Sequence, residues 1–158
     1  MSQFVGIDGC RAGWFAVMLK NAEEYDFEIF SNIEELWNSL SSAQDFLIDI
    51  PIGLKEKDEQ GRRCDTEARE RLKWPRSSSV FTPPSRCVLH MRSREKASEK
   101  SRRLTGRGIS VQAWSIVPSI REVDEFLRET PPARKKLREI HPEVLFCALN
   151  GGKSMVHK

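Results

Sequence analysis

The stretch FVGIDGCRAGWFAV, residues 4–17, sets the architecture. Apolar residues run up to Asp8, Gly9 follows at once, and a second apolar run begins at Trp14. Residues 4–8 and 13–20 read as two strands around a GCRAG turn, with Gly9 and Gly13 as punctuation. A carboxylate at the tip of a buried strand is expensive, because an unpaired buried charge must find a partner or protonate. Asp8 is therefore either a turn residue that escapes to solvent or a group met by a cation.

Outward from this hairpin, DFEIF (26–30) alternates in apolar character and predicts a third strand. Ser31 or Asn32 caps a helix through IEELWNSLSS, with Glu34 and Glu35 in its favourable first turn. DFLIDI (45–50) is a short continuous apolar run, as of a central strand covered on both faces, and Pro51 ends it. Residues 55–107 are polar and basic, carry the loop-like RSSSVFTPPSR, and predict two helices, near 62–73 and 93–104. They read as a long insertion laid over the sheet edge, a kind of segment that tends to be functional. SVQAWSIVPSIREVDEFLRE has a helical apolar stripe at 111, 114, 117, 120, 123, 126 and 127, kinked by Pro118. Pro131 starts another short helix. REIHPEVLFCALNGG then predicts a strand near 138–141 and a helix from Pro142 to Gly151-Gly152. The sum is one α/β domain, residues 1–158, with a mixed sheet.

With 39% hydrophobic and 31% charged residues and a mean hydropathy of −0.52, the composition is that of a soluble protein. No apolar run approaches the roughly 20 residues that cross a bilayer, and no signal peptide precedes VGID. The four cysteines (Cys10, Cys64, Cys87, Cys147) form no CxxC pair, so a reducing cytoplasm is expected and a zinc site is not. The net charge of +3 conceals an asymmetry. Residues 1–54 hold two Lys/Arg against nine Asp/Glu, whereas residues 55–107 hold sixteen against eight. An acidic first third before a basic middle suits a carboxylate centre fronted by a cationic surface, although solvated helices often carry such runs too.

Three acids fall at element ends, where ligands bind in α/β sheets. Asp8 ends the first strand, Asp49 the buried strand, and Glu143 follows Pro142. If the first and fourth strands are parallel neighbours, Asp8 and Asp49 come within reach of one hard cation, Mg²⁺ or Mn²⁺. Glu143 is the first candidate for a second metal, and two metals clamp a phosphodiester in an in-line displacement. Each acid also has an ordinary use: Asp-Gly is a common turn, and a Glu in a first helical turn serves the helix dipole.

The ordered segments GIDGCRAGW, LIDIPIGL, RRCDTEAR, SSSVFTPPSR, TGRGISVQAWSIVPSIREVD and IHPEVLF resemble a widespread prokaryotic family of unknown function. That family is usually described as predicted nucleases of the RNase H-like fold. The resemblance implies three antiparallel strands followed by parallel ones, helices on both faces, and acidic ligands on the first and fourth strands. It implies Asp8, Asp49 and Glu143 as catalytic and metal-binding residues, with nucleic acid (DNA or RNA) as substrate. It places Asp65 and Arg69 in an acid-and-arginine motif and Arg86 after Pro83-Pro84, with Arg107 a further candidate grip on phosphate. Asp65 reads equally as a helix-start ion pair, and Arg86 as a loop-packing residue. The resemblance also implies a last helix bearing an Asp-Asp-x-x-Asp motif, which this chain is expected to lack, leaving its C-terminal part incomplete and its catalysis impaired. An apolar sheet face left uncovered in this way is expected to pair with a second copy.

Two other functions fit the same residues. The basic stretch suits a nucleic-acid-binding module without turnover. A nucleotide phosphotransferase of the actin-like class also ends its first strand in an Asp-x-Gly loop, but here Asp8 and Gly9 are adjacent and no second glycine-rich loop is visible.

Overall fold

The computed structural model describes residues 4–56 and 61–156. The chain divides into two compact units, Met1–Ile52 with Glu122–Ile140, and Gly53–Arg121 with His141–Lys158.

The first unit is a five-stranded mixed sheet. Strands β1 (Phe4–Cys10) and β2 (Gly13–Leu19) form the hairpin, β3 (Tyr25–Phe30) extends it, and β4 (Asp45–Ile48) and β5 (Leu137–Glu139) complete the order β3-β2-β1-β4-β5. The β1–β2 and β2–β3 pairs are antiparallel, while β1–β4 and β4–β5 are parallel. One face is apolar and buried, built from Val5 and Ile7, Trp14, Ala16 and Met18, and Phe46 and Ile48. Helix α1 (Ile33–Leu40) brings Ile33 and Leu36 to the core. Its Trp37 ring sits 5.2 Å from Phe46 and 6.2 Å from Phe126.

Two local devices hold this unit's geometry. Gly13 has a φ of +129°, and a Cβ there would lie 2.1 Å from the Phe30 carbonyl oxygen, so only glycine fits where the hairpin meets the end of β3. Glu122 accepts from Trp14 Nε1 at 2.9 Å and from the Ile33 amide at 2.7 Å. One carboxylate thereby ties a helix to both β2 and the start of α1.

The expected cover of helices on both faces is not seen over β1–β3 among the described residues. The face opposite the core presents Phe4, Leu19, Tyr25, Phe27 and Ile29, with Tyr25 64% and Phe27 67% exposed. Strand β4 likewise departs from the expected strand buried on both faces. It alternates, with Phe46 and Ile48 buried and Leu47 only half-buried, because Leu47 points to the open side.

The second unit is helical: α2 (Arg63–Leu72), α3 (Arg94–Thr105), α4 (Val111–Ser115), the start of α5 (Val117–Glu129) and α7 (Pro142–Leu149), with 3-10 turns at Arg76–Ser79 and Arg86–Val88. Helix α6 (Ala133–Lys136) belongs to the first unit. The stripe expected as one kinked helix is two helices. The break falls at Ile116, and Pro118 sits in the first turn of α5, where its missing N–H costs nothing. Two small apolar clusters hold the unit, one of Val88, Ala97, Ile109 and Ala113, the other of Leu72, Val80 and Cys147. The polar stretch 55–107 falls wholly within this unit, although its residues 57–60 lie outside the described ones. No helix of the described residues is long and apolar enough to cross a membrane.

Candidate functional site

Register decides where the acids go. Parallel pairing matches Ile7 with Ile48, and the Asp49 amide donates to the Ile7 carbonyl at 3.1 Å, carrying the ladder one residue further. Asp8 and Asp49 are thus side-by-side neighbours at the carboxyl end of the β1–β4 pair. Side chains alternate along a strand, and with Ile7 and Ile48 facing the core, both aspartates face the open side and are exposed. A Cβ on Gly9 would meet only the Trp14 ring, at 3.8 Å, and one on Gly6 would meet nothing within 4 Å. Packing does not require glycine beside Asp8, and the backbone there stays open to an incoming group.

Glu139 is a neighbouring acid that the sequence did not single out. It ends β5, pairs with Ile48, and its Oε2 accepts from the Ile52 amide at 2.9 Å. It fixes the chain as it leaves β4 past Pro51. Its one sequence signal is position, at a strand end just ahead of His141-Pro142.

Glu143 lies in the second unit, in the first turn of α7. Arg76 Nη1 donates to its Oε1 at 2.8 Å, while Oε2 is buried with no hydrogen-bond partner among the described residues. Nδ1 of His141, the N-cap residue, is equally buried and unpartnered. Orphaned buried polar atoms are rare and costly, which sets this helix start apart within its unit. Arg76 was not anticipated. It also donates to the carbonyls of Met155 and Val156, strapping the C-terminal segment to the turn.

The remaining basic and acidic candidates are all in the second unit. Asp65 is 5% exposed and takes both Nε and Nη2 of Arg62, itself 6% exposed. This is a buried bidentate pair at the start of α2, the helix-start ion pair that is one of the two readings of Asp65. Arg69 donates to the Val80 carbonyl and to Thr82 Oγ1, both at 3.0 Å, and so holds the loop after α2. Arg86 is paired with Glu56 at 2.9 Å. Arg107 is exposed, and its guanidinium has no partner among the described residues.

A family model described as "Protein of unknown function (DUF429)" matches residues 6–158. The chain belongs to the DUF429 family. No curated protein and no solved structure matches it.

Within this DUF429 chain, no group of three or more His, Cys, Asp or Glu among the described residues is disposed to hold a metal ion. The Asp8–Asp49 pair is a smaller set: two carboxylates on one open face. That donor set fits Mg²⁺ or Mn²⁺, which bind through one or two carboxylates and keep several waters. The unfilled Oε2 of Glu143 fits the same hard-cation chemistry.

Proposed function

We propose that this DUF429 protein is a divalent-metal-dependent phosphodiester hydrolase acting on nucleic acid, built on an RNase H-like sheet. The observation that carries the reading is the register that sets Asp8 beside Asp49 at the carboxyl end of a parallel pair. The order β3-β2-β1-β4-β5, antiparallel then parallel, supports the fold. Asp8 and Asp49 would hold Mg²⁺ or Mn²⁺ in the first unit, and Glu143 is a separate candidate ligand in the second. When bound, such an ion lends positive charge to a phosphoryl oxygen and makes water a better nucleophile. The chain's own contribution is orientation. The β1–β4 ladder fixes both carboxylates without a flexible loop, and Arg107 and Arg86 are the candidates for phosphate contact.

The test is cleavage of end-labelled DNA and RNA with Mg²⁺ or Mn²⁺, against the same reaction in chelator. Activity that persists in both Asp8→Asn and Asp49→Asn would refute the assignment. A second reading, binding without turnover, draws on the basic second unit. Its affinity would fall steeply with salt as neutralised phosphates release counterions, and a flat salt dependence would remove it.

A further inference from the structure

The second unit holds a cleft of about 230 Å³ whose lining, among the described residues, contains no carboxylate. The one charged residue in its described lining is Arg107, and Thr82, Ser85 and Ser110 line it too. Ser85 is only 4% exposed yet lines the cleft, and its hydroxyl has no partner among the described residues. Thr82 Oγ1 accepts from Arg69 and Ser110 Oγ accepts from the Ala113 amide, so each keeps its own proton to donate. Ser101 and Thr105 are spent differently. Both donate to the Arg107 carbonyl, at 2.6 and 3.3 Å, and Thr105 Oγ1 also accepts from the Arg107 amide, fixing that residue's backbone. Gly108 beside it is set by packing, since a Cβ there would lie 2.7 Å from Ser98 Oγ and 3.0 Å from Arg102 Nε.

One buried hydroxyl, two exposed ones and an unpaired guanidinium, with no acid among the described lining residues, are an arrangement of donors suited to an anion. A carboxylate offers two oxygens; three hydroxyls and a guanidinium match the three or four of a tetrahedral oxyanion. We propose that the Thr82–Ser85–Arg107–Ser110 cleft binds a phosphoryl group, free or as the monoester end of a sugar phosphate. The volume of about 230 Å³ is enough for a phosphate with its sugar. The Phe81 and Pro83-Pro84 walls give the carbon side of such a ligand an apolar surface. The inference stands on second-unit residues alone and needs neither Asp8 nor Asp49.

Titration calorimetry of the whole chain, in chelator and without divalent metal, tests it with four probes. These are inorganic phosphate, ribose 5-phosphate, a 5′-phosphorylated oligonucleotide and its 5′-hydroxyl twin. Saturable phosphate binding that weakens at least tenfold in Arg107→Ala and severalfold in Ser85→Ala supports the proposal. Equal binding of phosphate and ribose 5-phosphate assigns the site to the phosphoryl group alone, and tighter binding of the esters assigns it to a monoester end. Arg103→Ala, whose side chain pairs with Glu99, is the folded control and leaves affinity unchanged. No saturable binding by any phosphorylated probe, equal binding of the two oligonucleotides, or affinity indifferent to Arg107→Ala and Ser85→Ala overturns it. Running the assay in chelator separates its failure from failure of the nuclease reading.

Discussion

The two units solve the problem of burial in opposite ways. In the first, seven Lys/Arg face fourteen Asp/Glu, a net of −7, yet the buried residues are hydrophobic and the charge stays outside. In the second, nineteen face nine, a net of +10, and all five buried polar residues of the described chain lie there: Arg62, Asp65, Ser85, Ser98 and Ser101. The sheet can be apolar inside because its ladder satisfies the backbone and period-2 alternation sends charge outward. Helices as polar as α2 and α3 bury little carbon, so their unit is held by small apolar clusters and by buried polar groups that must be paired. The first unit therefore offers rigid carboxylates, suited to a cation, and the second offers fixed donors, suited to an anion.

Substitutions can break this contrast. The largest effect expected is on activity: Asp8→Asn or Asp49→Asn lowers metal-dependent cleavage by about 10³-fold while phosphate affinity of the second unit is unchanged. Should both fall together, the division of labour is wrong. Next in size is stability. Asp65→Ala removes the buried carboxylate that takes both Nε and Nη2 of Arg62 and costs about 3–5 kcal/mol in a urea titration. Replacing the pair together, with Arg62→Met and Asp65→Leu, costs far less, because both charges leave. A small loss in Asp65→Ala alone would mean that the pair is solvated and the contrast overstated.

In the first unit the corresponding polar tie is smaller. Trp14→Phe keeps the buried ring but removes the donor to Glu122, and a loss of about 1–3 kcal/mol is expected in thermal unfolding. The smallest effect is a pH dependence at the start of α1. The Ser31 hydroxyl and amide hold the Glu35 carboxyl below the ordinary glutamate value of 4.5, and Asn32 accepts from the Glu35 amide. A depressed folded-state value means that this contribution is complete above pH 4.5 and fades as pH falls through the lower folded value. The gap in melting temperature between wild type and Glu35→Gln should therefore close on the acid side. A gap that stays constant down the acid limb would show that the Ser31 contacts do not depend on the charge.

The same contrast explains what was legible in the sequence. Apolar runs punctuated by glycine marked the hairpin, alternation marked β3 and a continuous apolar run marked β4, each to within about two residues, and Asp8 and Asp49 followed because a strand end is a local feature. Asn32 as cap and Pro142 as the first residue of α7 were local as well. What stayed hidden depends on distant partners. Glu122 meets Trp14 across 108 residues, Glu139 meets Ile52 across 87, and Arg76 meets Glu143 across 67. No periodicity marks these acids and bases apart from solvated ones. The helix-start ion pair offered for Asp65 was legible and is made with Arg62, but in so polar a helix nothing in its neighbours announces that the pair is buried. The apolar run DFLIDI suggested cover on both faces, but it cannot say that Leu47 looks out over an open side.

That open side also sets how the molecule handles in the laboratory. Tyr25, Phe27 and Ile29 project from an edge strand with more than half their surfaces in water. Dyes such as anilinonaphthalene sulfonate, usually dark until a protein loosens, should glow on the native chain. In a dye-based melt the starting brightness then measures how much of this face is covered, and any additive that dims it without shifting the midpoint has found the surface, not the fold.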